Sequence, residues 1–178
     1  MTQWGIDRRD LVATPAYRAT LRKRYESPGW GASGYGWALV VTDFALEIGA
    51  RSILDYGCGR GTLRPCLKPD VFDVREYDPG ILGKDDMPGP ADLVVATDVL
   101  EHIEPALLDN VLAHMRALAL RGLFLNIATG PAKETLPDGR NAHLIQEGMP
   151  WWTTRLTAAG LAPARCEMRK GACVWVTR

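Results

Sequence analysis

No apolar run in the chain is long enough to cross a bilayer, so a membrane-spanning role is not expected. The start of the sequence offers no secretory leader either, because Asp7, Arg8, Arg9 and Asp10 interrupt any apolar stretch there. Cysteines are few, and Cys58, Cys66, Cys166 and Cys173 include no Cys-x-x-Cys pair. A thiolate zinc site therefore lacks its usual spacing, and no metal is expected. Reduced thiols and a cytoplasmic location fit this cysteine usage, the alternative being that Cys166 and Cys173 face each other across a closing hairpin. Internal repeats and low-complexity tracts are also absent. Neither sign of charge is in excess: 21 Lys/Arg stand against 21 Asp/Glu. The balance is uneven along the chain, however. Residues 1–30 carry six Lys/Arg against three Asp/Glu, and residues 155–178 five against one. Such basic ends are either ordinary solvated faces or a footing for an acidic partner such as nucleic acid.

What is present is ordinary globular material, 47% hydrophobic and 24% charged over 178 residues, enough for one domain with a real core. The pattern alternates strands and helices. A helix is expected from Ile6 to about Arg24, kinked near Pro15, then a glycine-rich loop over 27–36 and a helix from Trp37 to Ile48 with Val40, Phe44 and Ile48 facing inward. Strands follow at 52–56, 72–77, 92–97 and 123–128. Between them lie a short helix at 62–67 and a helix opening at Pro105 and stopping at Gly122. A long loop over 129–148, a helix near 151–159 and two strands at 164–168 and 172–177 close the chain. Continuous apolar strands alternating with helices specify an α/β fold: a Rossmann-like, mostly parallel sheet with helices on both faces and a C-terminal antiparallel hairpin. Residues 1–50 form the N-terminal helices and lid of this single domain, and 51–178 its core.

The segment Asp55-Tyr56-Gly57-Cys58-Gly59-Arg60-Gly61 follows the first strand. Glycine at every second position lets a backbone approach a ligand closely. Asp78 ends the next strand, 17 positions after Gly61, where an acid suits a ribose diol. The even glycine spacing differs from that of the dinucleotide fingerprint. It resembles motif I of the class I S-adenosylmethionine-dependent methyltransferases, and the segments Glu76-Tyr77-Asp78 and Asp98-Val99-Leu100-Glu101-His102 extend the resemblance over roughly residues 52–178, most of the chain.

The resemblance implies an S-adenosylmethionine cofactor and a set of roles. Gly57, Cys58 and Gly59 lie along the donor. Asp55 orders its amino group or caps the glycine turn. Asp78 takes the ribose hydroxyls, Asp85, Asp86 and Met87 stand at the adenine position unless they form a simple surface loop, and Thr97 and Asp98 hold the methionine end. Glu101 and His102 lie at the acceptor's mouth, as base or as loop anchor. His143 is the alternative base, in a loop whose Asp138, Arg140 and Asn141 are dense enough to bind substrate, unless that loop is disordered. Trp30 and Tyr35 are candidates for a lid, and Trp151 for a pocket wall or a core residue.

One departure from the family pattern is visible. Only 13 residues separate Asp78 from Asp92, and Pro79, Gly80, Gly83, Pro88, Gly89 and Pro90 are among them. A trimmed sheet with a loop between its second and fourth family strands is expected. No Asn/Asp-Pro-Pro-Tyr/Phe tetrapeptide of amino-methylating DNA enzymes appears after the fourth family strand, where Asp98-Val99-Leu100-Glu101 stands instead. The acceptor expected is a polar small molecule, with nucleic acid as the second possibility. A donor-binding protein without turnover and a nicotinamide-dependent oxidoreductase are the remaining readings.

Overall fold

A computed structural model describes residues 7–169 and 172–177. Lys170, in the expected final turn, and Ile6, at the expected start of the first helix, lie outside the described residues. Six strands form one sheet: β1 (Ser52–Tyr56), β2 (Asp73–Tyr77), β3 (Ala91–Thr97), β4 (Ala119–Ala128), β5 (Arg165–Arg169) and β6 (Ala172–Thr177), in the order β2-β1-β3-β4-β6-β5. The first four pair in parallel, whereas β6 runs antiparallel to β4 and to β5. In this register Cys166 faces Trp175 and Cys173 faces Met168, so the two cysteines are not cross-strand partners.

The parallel strands are buried on both faces. Ile53, Leu93, Val95 and Phe124 pack against α2 (Ala38–Glu47) through Val41, Phe44 and Ala45, with Val40 and Ile48 only partly buried. Leu54, Val94, Ala96 and Leu125 meet α3 (Leu108–Leu118) and α4 (Met149–Ala158). The stripe Leu108, Val111, Leu112, Met115 and Leu118 has the spacing of one helical face. Trp152 is fully buried in the same core.

Several expected boundaries shift for identifiable reasons. Pro15 does not kink a helix. It occupies the first turn of α1 (Pro15–Tyr25), whose N-cap Thr14 accepts a hydrogen bond from the Tyr17 amide at 3.1 Å; Arg8–Leu11 is a separate 3₁₀ turn. The helix expected at 62–67 shrinks to a 3₁₀ turn at Arg64–Cys66, because Pro65 supplies no amide donor. Gly122 stops no helix. It lies inside β4, opposite Leu93, next to a register irregularity between Ala91 and Leu93, where a glycine eases a bulge. Residues 79–90 contain no helix and no strand, as the trimmed-sheet expectation requires.

A third, smaller core positions the site. Ala13, Tyr17 and Leu21, at the start of and along α1, pack on Leu136 and Ala142 from the loop after β4, with Tyr25, Trp30, Ala132 and Leu144 around them. That loop is therefore ordered against α1. Together they roof the carboxyl ends of β1, β2 and β3. No helix among the described residues is long and apolar enough to cross a membrane.

Candidate active site

A cavity of about 250 Å³ opens at the carboxyl ends of the parallel strands, where ligands of open α/β sheets bind. Asp55, Gly57, Cys58, Asp78, Thr97, Asp98 and His102 line it from the sheet side, and Tyr17, Tyr25 and Trp30 from the roof.

The glycine turn after β1 is set by its backbone. Gly57, Gly59 and Gly61 have φ of +75°, +52° and +73°, a left-handed region that other residues enter only under strain. The Gly57 and Cys58 amides donate to the Tyr77 carbonyl at 2.7 and 3.0 Å, which holds the turn beside the end of β2. Gly59 lies beneath the chain's own lid. A Cβ there would stand 2.5 Å from the Gly31 carbonyl oxygen. Arg60 fastens that lid. Its amide donates to Gly31 at 2.8 Å, and its guanidinium donates to the carbonyls of Trp30, Tyr25 and Ser27 at 2.9, 2.9 and 2.7 Å. Arg60→Ala is expected to speed amide exchange across residues 26–34 by about tenfold while the melting temperature falls by only about 2–4 °C, because exposed hydrogen bonds contribute little to global stability. Unchanged exchange in that segment would show that the clamp does not hold the lid.

Asp78 is held by three donors. Its Oδ2 accepts from the Tyr25 hydroxyl at 2.7 Å and from the Gly59 amide at 3.0 Å, and its Oδ1 from the Gly80 amide at 2.8 Å. Burial pushes its pKa up, and these three donors pull it back. A carboxylate has about four acceptor sites, so three donors leave one open. A ribose diol would need two, and the Tyr25 hydroxyl fills the second place here. The site therefore fits an adenosyl donor once Tyr25 yields.

Asp55 is buried at the end of β1, and burial together with Glu76 pushes its carboxyl up to about 7, against the pull of Lys84. Lys84 is itself paired with Glu76 at 3.1 Å. Asp98 sits in the left-handed region with φ +55°, and the Ser33 side chain of the lid hydrogen-bonds its carboxylate.

Beyond Asp98 the expected acceptor residues converge. Glu101 is fully buried in a 3₁₀ turn after β3, with Oε1 accepting from the Ala128 amide at 3.0 Å. Burial pushes its carboxyl up to about 8. The His102 ring packs edge-on against both Trp30 and His143, at centroid distances of 5.0 and 4.9 Å. Burial drives the His102 imidazole down to about 4, so it stays neutral.

Other expected residues fall elsewhere. Asp86 is exposed and outside the cavity lining; the neighbouring Asp85 turns inward, held by Arg9 at 3.4 Å and Arg22 at 3.3 Å. Met87 packs on the core beside the Tyr77 hydroxyl rather than in the cavity. Tyr35 is 67% exposed and does not close the site. Trp151 stacks edge-on with Trp152 at 5.0 Å beside the main core, away from the cavity. Asp138 and Arg140 neutralise each other at 2.6 Å on the surface. Asn141 is used up within its loop, bonding both the amide and the carbonyl of Ala132 and the amide of His143. Sequence reasoning missed Tyr25, Tyr17 and Arg60; only Arg60, a charge set between two turn glycines, carried a local signal.

This chain belongs to the methyltransferase-domain family, whose model matches residues 21–159. Among solved structures it is similar to a 1,6-didemethyltoxoflavin-N1-methyltransferase from Burkholderia thailandensis with bound 1,6-didemethyltoxoflavin and S-adenosylhomocysteine (18% identity, TM-score 0.65, covering 92% of this chain and 88% of that one). It is also similar to the magnesium protoporphyrin IX methyltransferase of Synechocystis with bound S-adenosylhomocysteine (18%, TM-score 0.59, 88% and 91%). A third similar structure is an S-adenosylmethionine-dependent methyltransferase from Clostridium acetobutylicum (12%, TM-score 0.65, 82% and 91%). Comparison with curated proteins finds no match.

Proposed function

We propose that the chain transfers a methyl group from S-adenosylmethionine to a polar small-molecule acceptor. The observation that carries this reading is the buried Asp78 carboxylate, set inside the cavity across the glycine turn from Asp55 and Thr97. Neighbouring structures that hold S-adenosylhomocysteine, one of them with a small-molecule substrate, support the donor and the acceptor class.

The donor supplies a methyl group already activated by a sulfonium, so the protein's task is to position it. Asp78 holds the ribose end, and Asp55 and Asp98 hold the amino-acid end. Trp30 and the lid exclude water from above. The acceptor lies against His102, which lines the cavity with Glu101 and His143 behind it, and its proton passes to the His102 Nε2 or to water as the new bond to the methyl carbon forms and the carbon–sulfur bond breaks.

Calorimetry and thermal melting with S-adenosylhomocysteine, set against NAD, test the reading. At a hundredfold excess over Kd the homocysteine compound should raise the melting temperature by about 5–10 °C, and NAD should not. Its affinity should also rise with pH. Glu76, Lys84 and Asp78 are the charges facing Asp55, and burial, with Glu76 adding to it, keeps its carboxyl protonated up to about 7. An ammonium ligand needs the carboxylate, so affinity should be about tenfold weaker at pH 6 than at pH 8, and Asp55→Asn should flatten that slope. Stabilisation by NAD alone would overturn the methyltransferase reading. Donor binding without methylated product in an acceptor screen would leave a non-catalytic binder.

A further inference from the structure

Among the described residues, one oxygen of Glu101 and one ring nitrogen from each of His102 and His143 lie within 4.8 Å of one another. The cluster sits between the turn after β3 and the loop after β4, and His102 gives it a face on the cavity. Two facts separate it from an ordinary buried histidine pair. First, Glu101 Oε2 is buried and has no hydrogen-bond partner among the described residues, although Oε1 is bonded. A buried carboxyl oxygen without a partner is costly and calls for a donating or positively charged neighbour. Second, His102 Nδ1 meets the Ala142 carbonyl at 2.7 Å, and His143 Nδ1 meets the Gly130 carbonyl at 2.5 Å. A carbonyl only accepts, so each Nδ1 carries the proton and each Nε2 keeps its lone pair. Backbone carbonyls orient metal-ligating histidines in this way.

We propose that Glu101, His102 and His143 form a binding site for a first-row divalent cation, Zn²⁺, Mn²⁺ or Fe²⁺, at the acceptor end of the cavity. Two imidazoles and one carboxylate suit these ions better than calcium or magnesium. Ligands about 2.0–2.2 Å from a metal stand roughly 3–4 Å apart, so small side-chain rotations close the cluster around an ion. Three protein ligands leave coordination positions open. An acceptor hydroxyl or carboxylate can take one of them. There the ion acts as a Lewis acid: the hydroxyl proton leaves to water, and the oxygen bonds the methyl carbon as the carbon–sulfur bond breaks. The acceptor class is thereby narrowed to oxygen-bearing chelators. That role rests on the methyltransferase reading; the site itself does not.

The test uses the full chain, stripped with a chelator and titrated with Co²⁺, whose visible bands report imidazole coordination, and with Zn²⁺ by calorimetry. One ion per chain is expected. Glu101→Gln and His143→Gln should each weaken it by at least about tenfold, with S-adenosylhomocysteine binding measured in parallel on the same samples. Wild-type protein that takes up no ion, or uptake that survives both substitutions in folded protein, overturns the site. Ion binding without S-adenosylhomocysteine binding upholds the site and instead sinks the methyltransferase reading.

Discussion

Asp78→Ala is expected to weaken S-adenosylhomocysteine binding by about 100-fold or more. A hydrogen bond to a charged acceptor contributes about 1.5–3 kcal/mol, and the ribose diol would lose two of them. The same substitution frees the Gly59 and Gly80 amides and the Tyr25 hydroxyl, so the protein should also melt lower. Tyr25→Phe separates the two effects. It leaves the carboxylate in place and removes only the donor that must be displaced before the diol can bind. Binding to that variant should be as tight as wild type or up to about tenfold tighter, since breaking the hydroxyl–carboxylate bond no longer opposes the ligand. Calorimetry on both variants, below their melting temperatures, decides the matter. An Asp78→Ala affinity within about threefold of wild type would remove Asp78 from the binding site. A large loss in Tyr25→Phe would mean that the tyrosine holds the ligand rather than yielding to it.

The strands and the acids at their ends were legible because their signals are local. Ile53-Leu54 and Leu93-Val94-Val95 are buried on both faces, so the apolar run itself marks the strand. Asp55, Asp78, Thr97 and Asp98 then follow at the carboxyl edge by topology alone, and they do share one cavity. The roof was not legible. Tyr25 reaches Asp78 across 53 residues, and the Tyr17 hydroxyl reaches the His102 carbonyl across 85; no periodicity encodes such contacts. Loop positions failed for a related reason. Between Asp85 and Asp86 nothing in the sequence says which side chain turns inward, because no regular element fixes the alternation. The choice falls to Arg9 and Arg22, which are remote in sequence. Arg140 and Asn141 looked like ligand-binding groups by type, yet each spends its polar atoms on its own loop or its neighbour. The cluster of Glu101, His102 and His143 lay between these cases: its members could be named singly, but their convergence depends on how the loop after β4 folds back under α1.

Gly59→Ala is expected to lower the melting temperature by about 10 °C and to open the lid. With φ at +52° an alanine costs about 1–2 kcal/mol in backbone strain alone. The added methyl would also stand 2.5, 2.9 and 3.0 Å from the oxygen, Cα and carbonyl carbon of Gly31. All three are backbone atoms, so no side chain can swing aside. Gly31 cannot retreat freely either, since Arg60 binds its carbonyl, those of Ser27 and Trp30 in the lid, and that of Tyr25 at the end of α1. The lid must lift, and the contacts beneath it are lost; the total should reach about 3–4 kcal/mol. Gly61→Ala is the control. Its φ is similar at +73°, but its methyl would meet the ends of the Glu76 and Lys84 side chains, which can rotate away. That variant should lose no more than about half as much stability and keep residues 26–34 protected from exchange. Melting curves with amide exchange check both. Equal losses in the two variants would mean that φ strain alone explains the glycines. A larger loss at Gly59, with fast exchange confined to the lid, would mean that its missing side chain serves the chain's own closure as much as any ligand.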